Sequence, residues 1–260
     1  MTFVWTFDGA DTASGSVVER TFSAGTHTVL VEVEDGHGGT DVASGTVSVQ
    51  AVPAGYVPRT FSWSTNGEAR ACSLLIPWEL YQMYKGRIRS AIGEAYAYGD
   101  YVADPLDDPT MEDYAEVFWA QASSVESFVD DVLAFVQQGI RYRPDPEHQE
   151  WPWYPLETLV AGAGDCEDSA ILFVSLLRGR SVPSSLAFVD TDSDGTPDHV
   201  LALVPVSAAW AARLACPRSL LVLDGVSYAV AETAGDGPLI PLGCDPWGLV
   251  PSDVYQIWSF

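Results

Sequence analysis

Gly162-Ala163-Gly164-Asp165-Cys166-Glu167-Asp168-Ser169-Ala170 leads into a run carrying Ile171, Leu172, Val174, Leu176 and Leu177. The run has helical periodicity. Asp165 stands where an N-cap belongs, with Asp168 three residues on in an acidic form of the capping box. Cys166 is then the first helical residue. A thiol there meets unpaired backbone N–H groups and the positive end of the helix dipole, which favour the reactive thiolate. The glycines before it leave room for a substrate to approach. Asp165, Glu167 and Asp168 oppose thiolate formation with negative charge, so a nucleophilic Cys166 requires an imidazolium partner. Without one, a cysteine packed at a helix start accounts for the same residues.

His148 and His199 are the histidines of this larger region. His199 opens the apolar strand Val200 to Val204, a placement from which an imidazole can face a helix N-terminus. Glu232 or Asp224, on the hairpin that follows, is available to orient the ring. His148, within Pro146-Glu147-His148-Gln149, reads as a solvated loop residue. Trp151, Trp153 and Tyr154 either wall a substrate cleft or pack a core.

Helical periodicity recurs over 113–119 and over 125–138, where Phe128, Val132, Phe135 and Val136 share a face. Pro77 followed by Trp78, Leu80, Tyr81 and Tyr84 starts another helix. Phe61 to Ile76 reads as two strands about the turn Asn66-Gly67. The C-terminal portion returns to β over 199–206, 220–223 and 226–232, with Asp224-Gly225 as a turn. Helices first and antiparallel strands last predict an α+β domain over 61–260. Residues 51–60, punctuated by Pro and Gly, are the predicted linker. Before it, residues 1–50 read as short strands: Val29, Val31 and Val33 alternate with Leu30, Glu32 and Glu34, and Asp35-Gly36 with Gly38-Gly39 makes a turn. Strands at this spacing predict a β-sandwich. His27 and His37 read as ordinary strand and turn residues.

Tyr154-Pro155-Leu156-Glu157-Thr158-Leu159, Gly164-Asp165-Cys166-Glu167-Asp168 and Asp198-His199-Val200 resemble, in that order, the transglutaminase-like superfamily, particularly its archaeal and bacterial members. Phe135-Val136-Gln137 with Ile140-Arg141-Tyr142 resembles the stretch upstream of the nucleophile. Tyr228-Ala229-Val230-Ala231-Glu232-Thr233 resembles the strand that brings the acidic triad member. The likeness covers residues 61 to 250 and implies a papain-like core with a Cys-His-Asp/Glu triad. In it Cys166 is the nucleophile, His199 the general base and acid, and Glu232 the orienting carboxylate where many relatives have Asp, with Asp224 in reserve. By the same likeness Gln137, next to Gln138, is an oxyanion donor, and the Cys166 backbone N–H a second. The implied activity is acyl transfer on peptide or side-chain amides through a Cys166 thioester, hydrolysis ahead of cross-linking, with no cofactor required for catalysis. The alternative is a non-catalytic cell-surface interaction module with a vestigial triad.

Trp5-Thr6-Phe7-Asp8-Gly9, Phe22 to Val29 and Val33-Glu34-Asp35-Gly36 resemble the later strands of a PKD-type domain, an immunoglobulin-like sandwich found mainly on surface and secreted proteins. The family's first strands are missing, so the sandwich reads as partial. This second likeness implies spacing or adhesion, an extracytoplasmic location, and a chain that is a piece of a longer surface protein.

Asp190-Thr191-Asp192-Ser193-Asp194-Gly195-Thr196-Pro197-Asp198 sets oxygen donors at alternate positions with Gly at the sharp turn. Asp190, Asp192, Asp194, Thr196 and Asp198 match the first half of a calcium loop. An EF-hand is excluded, because its twelfth position is Leu201. The loop is either a calcium site, stiffening the segment that leads into His199, or an acidic solvated turn.

The charge narrows the partners. With 36 acidic residues against 12 basic ones, a net charge of -24, the chain repels nucleic acid and anionic membrane surfaces. Such acidity suits solubility in a saline medium. No stretch approaches the ~20 consecutive apolar residues of a membrane helix, and the start lacks the charged and apolar regions of a signal peptide. Cys72, Cys166, Cys216 and Cys244 lack the spacing of a zinc site. Cys216 and Cys244 could pair in an oxidising compartment.

Overall fold

The computed structural model describes residues 1–49, 51–89, 97–146, 150–217, 219–234 and 237–260. They divide into two compact units, 1–56 and 57–260, with the division inside the 51–60 stretch. In the first unit, β1 (Thr2–Phe7), β2 (Asp11–Ser14), β3 (Gly25–Glu34) and β4 (Thr40–Val49) form one antiparallel sheet in the order β2-β1-β3-β4. Asp35 closes the β3–β4 hairpin by accepting the N–H groups of His37 and Gly39 on Oδ1, at 2.7 and 3.0 Å. The partial sandwich expected for 1–50 is represented among the described residues by one sheet. All four strands are used in a single sheet, and among the described residues of this unit Phe7 alone is buried. His27 is held by Asp8 at 2.7 Å and by the Ser23 carbonyl at 2.8 Å, a structural arrangement within the sheet.

The second unit opens with the hairpin β5 (Tyr56–Thr65) and β6 (Glu68–Pro77). Its turn residues Asn66 and Gly67 have φ of 51° and 80°, the left-handed pair that an Asn-Gly hairpin turn requires. Helices α1 (Trp78–Lys85), α2 (Tyr98–Val102), α3 (Asp108–Trp119) and α4 (Val125–Gly139) follow. Next come β7 (Arg141–Tyr142), α5 (Pro155–Ala161), β8 (Ala163–Gly164) and α6 (Cys166–Arg178). The chain then runs through β9 (Ser185–Val189), β10 (His199–Pro205), α7 (Ala208–Ala211), β11 (Leu221–Leu223), β12 (Val226–Ala231) and β13 (Val254–Ser259).

Helix α6 is the axis of the unit. Every residue from Glu167 to Leu177 is buried, as a helix apolar on most of its circumference must be. Helices α2, α3, α4 and α5 pack around it on one side. On the other lies an antiparallel sheet in the order β11-β12-β10-β9-β13. The unit is α+β, with the N-terminus of a central helix beside the start of β10, the middle strand of the sheet. Cys216 and Cys244 are bonded, their Cα atoms 5.0 Å apart, and the ring they close contains β11 and β12.

Candidate active site

Cys166 is the first residue of α6, half-buried at the floor of a cleft. Asp165 occupies the N-cap position, yet its side chain caps nothing in the helix. The reason lies in β7 and β8, which pair in parallel and draw residues 141–145 alongside 162–165. Arg143 N–H donates to the Gly164 carbonyl at 2.8 Å, and Asp145 N–H to Asp165 Oδ2 at 3.1 Å. Asp168 likewise turns away, accepting Trp153 N–H on Oδ1 at 2.6 Å. A Cβ at Gly164 would lie 2.6 Å from the Cβ of Asp168. The space that glycine leaves is therefore filled by Asp168 and is not an opening for substrate. Gly162 ends α5 in the left-handed conformation, φ 59° and ψ 30°.

The thiol donates to Glu167 Oε2 at 3.2 Å, and Val200 N–H donates to the sulfur. Burial, followed by the charge of Glu167, pushes the Cys166 thiol well above its ordinary value. Glu167, 2% exposed, is itself pushed far up by burial and by Asp165, Asp168 and Glu150. It holds its proton at neutral pH. The acidic flanks thus act by accumulating around a carboxyl that prefers to be neutral.

His199 opens β10. Because β10 pairs with β12 in the register Ala202 to Ala231, the start of one strand lies beside the end of the other. Glu232, the residue after β12, consequently reaches His199: its Oε2 is 2.8 Å from Nε2. The carboxylate is 3% exposed and its Oε1 accepts Ala234 N–H at 2.6 Å. Trp247 lies against the imidazole at a centroid distance of 4.7 Å. Asp224 sits exposed at the opposite end of β12, at the hairpin tip with φ 48°, roughly 25 Å away along the strand. It has no access to His199.

Cys166 and His199 line one cleft of about 440 Å³ together with Tyr98, Tyr142 and Phe188. A cavity of about 720 Å³, walled by Lys85, Arg143, Trp151 and Trp153, shares Asp145 and Pro146 with that cleft. Arg143 stacks over Trp153 at 4.5 Å. Tyr154, in contrast, is core, stacked on Tyr84 at 4.2 Å.

Gln137 does not serve the cleft as an oxyanion donor. Its Nε2 donates to the carbonyls of Glu232 and Ile240 at 2.6 and 2.9 Å, and its Oε1 accepts Ile240 N–H at 3.2 Å. With both functions of the amide committed to backbone, Gln137 is a clamp behind Glu232. Gln138 bonds the backbone of Ser64. His148 lies outside the described residues. In the aspartate loop, oxygens of Asp190, Asp192 and Asp194 gather within 4.8 Å of one another. Asp198 is directed to Thr191 instead, at 2.9–3.0 Å, and Thr196 contributes its N–H to Asp194 at 2.8 Å. Sequence reasoning missed Asp145, the Glu167 contact and Trp247. Trp247 carries no local signal, because its contact depends on the return of a distant turn.

Residues 112–214, within the second unit, match the model of the transglutaminase-like superfamily. The match spans α3 to α7, takes in Cys166 and His199, and ends before Glu232. A comparison with curated proteins finds no match.

Proposed function

We propose that the 57–260 unit is a cysteine-dependent acyl-transfer enzyme acting on peptide or side-chain amides. The observation that supports this most is the 2.8 Å contact between Glu232 and His199 Nε2, in a cleft that His199 shares with Cys166. A buried carboxylate on Nε2 fixes the ring and leaves Nδ1 as the nitrogen for a thiol. His199 takes the proton from Sγ, and the sulfur attacks the acyl carbon, forming a C–S bond. The N–H groups at the start of α6, Cys166's own among them, face the developing oxyanion. Collapse breaks the C–N bond as His199 returns the proton to the departing amine. Water, deprotonated by His199, then cleaves the thioester and restores the thiol; an amine in its place gives transfer. The adjoining aromatic cavity gives an extended chain more surface than a small amide needs. The Cys216–Cys244 bond fits an oxidising, extracytoplasmic setting.

The test is trapping. Wild-type protein incubated with activated peptide esters and glutamine peptides should gain the mass of the acyl group at Cys166. Cys166→Ala should gain nothing, and His199→Ala should acylate at least ~10²-fold more slowly. Adding a primary amine apportions hydrolysis and transfer. If wild type forms no adduct, and iodoacetamide alkylates Cys166 at the same rate with and without His199, the protein is an interaction module and not an enzyme.

A further inference from the structure

Charge is distributed unevenly on the two sides of Asp145. The cleft of Cys166 and His199 carries the carboxyl groups of Asp145, Glu150, Asp165 and Glu167. The adjoining cavity of about 720 Å³ is walled instead by Lys85, Arg143, Trp151 and Trp153. Asp145 and Pro146 line both spaces, so a chain lying in the cleft has a continuous path into the cavity. Acids outnumber bases 36 to 12, and seven arginines among the described residues hold a carboxylate at ion-pair distance. Lys85 and Arg143 hold none among the described residues. Glu157, on the same wall, is buried and committed to Arg89, and Asp145 Oδ2 accepts Trp151 N–H. Arg143 is exposed, yet its guanidinium lies over Trp153 at 4.5 Å, which keeps its fork of N–H donors in one plane. Trp151 is 43% exposed, and Arg89 stands against its ring at 5.4 Å. Open indole surface beside two cations without counter-charge has the composition of a ligand wall, apolar with a few placed polar groups.

On the acyl-transfer reading of Cys166, we propose that this cavity is the substrate subsite for a carboxylate-bearing residue of the peptide. The carboxylate meets Lys85 and Arg143, and its carbon chain lies against Trp151 and Trp153. A guanidinium offers a carboxylate two parallel N–H bonds, and the Lys85 ammonium adds a point charge. Both cations are exposed before the peptide arrives and have no internal ion pair to break. The surface as a whole, at a net charge of -24, repels the same group. Attraction is therefore confined to this wall, and it sets the direction in which the peptide lies. The carboxyl-rich cleft beyond Asp145 disfavours a second acid at the reacting position. An Asp or Glu side chain and a free C-terminus present the same carboxylate, and amidation tells them apart.

Fluorescence anisotropy with the full chain as Cys166→Ala, which has no nucleophile, measures the subsite apart from the chemistry. The probes are labelled peptides with a central glutamine flanked by glutamates, the same peptides with an amidated C-terminus, and versions flanked by glutamines or lysines. The glutamate peptide should bind, and adding Lys85→Ala/Arg143→Ala should weaken it at least tenfold. Neutralising the flanking side chains or the C-terminus should cost a similar factor, and the one that does identifies the carboxylate. Both side chains are exposed, so these variants keep the fold. Lys85→Glu/Arg143→Glu should reverse the order and favour the lysine peptide. Arg213→Ala, whose ion pair with Glu126 lies at another pocket, should change nothing. Equal binding of acidic, neutral and basic peptides, no binding of any, or an affinity unmoved by Lys85→Ala/Arg143→Ala would each overturn the subsite. Adduct formation at Cys166 in the wild type decides the acyl-transfer reading separately: acylation with no preference for acidic peptides sinks the subsite alone.

Discussion

At the scale of single residues, the pair His199 and Glu232 makes the sharpest demand. Glu232→Gln keeps the shape and a hydrogen bond but removes the charge that stabilises an imidazolium, so kcat should fall at least ~10²-fold. Asp224→Asn, at the far hairpin tip, should leave kcat unchanged. Steady-state hydrolysis of a peptide ester by the two variants reads both outcomes. The placement of Cys166 and His199 was legible because each announces itself locally, one by a helix start and the other by an apolar strand, and both line one cleft. Glu232 and Asp224 were both open in sequence, since both flank one strand, and the register Ala202 to Ala231 puts Glu232 rather than Asp224 beside His199. The surroundings of Gln137 were hidden for a related reason. A sequence shows an amide but not which carbonyls come to meet it, and here they belong to Glu232 and Ile240, about a hundred residues away.

At the scale of elements, β12 is the carrier of the acidic residue and is held from two sides. Gln137, on α4, clamps the backbone at Glu232 and Ile240. The disulfide from Cys216 to Cys244, 28 residues apart, closes the ring that contains the strand. Gln137→Ala leaves the Glu232 carbonyl without its donor. We expect a stability loss of about 1–3 kcal/mol and a lower kcat with KM little changed, measured by denaturant unfolding and by kinetics. Gln137→Glu, which accepts where Gln137 donated, should not restore either. Reducing the disulfide should cost about 3–4 kcal/mol on the loop-entropy scale, seen as a drop in melting temperature when reductant is added. The helices and the Asn66-Gly67 hairpin followed from periodicity and turn chemistry. The edge strand β13, which pairs with β9 from Val254 to Ser259, did not, because its pairing closes the sheet with the end of the chain.

At the scale of the whole molecule, the acidity has a thermodynamic consequence. Burial raises Asp107 from 3.8 to about 7 and Asp145 from 3.8 to about 6, and it raises Asp165, Glu167 and Asp168 as well. The folded chain therefore keeps protons that the unfolded chain releases. Stability from these groups is complete below the ordinary carboxyl range and is lost as pH rises through the folded values. Asp107 alone accounts for about 4 kcal/mol between those limits. Without divalent cations at low salt, the melting temperature should be higher at pH 5 than at pH 8. A melting temperature that rises over that interval would show these carboxyls ionised in the folded state. The N-terminal unit was less legible than the second one. Alternation of Val29, Val31 and Val33 identifies a strand, but it does not say whether a second sheet lies opposite.

The hydrogen bond from Cys166 to Glu167 bears on the lifetime of the protein. Surroundings that keep Cys216 and Cys244 joined also attack exposed thiolates, carrying them to sulfenic acid and beyond. The species attacked is the anion. A sulfur held as its protonated form by a neutral carboxyl, with its anion disfavoured by burial, is shielded from peroxide while idle. On the acyl-transfer proposal, a sulfur so held must first give its proton to His199 before it can attack.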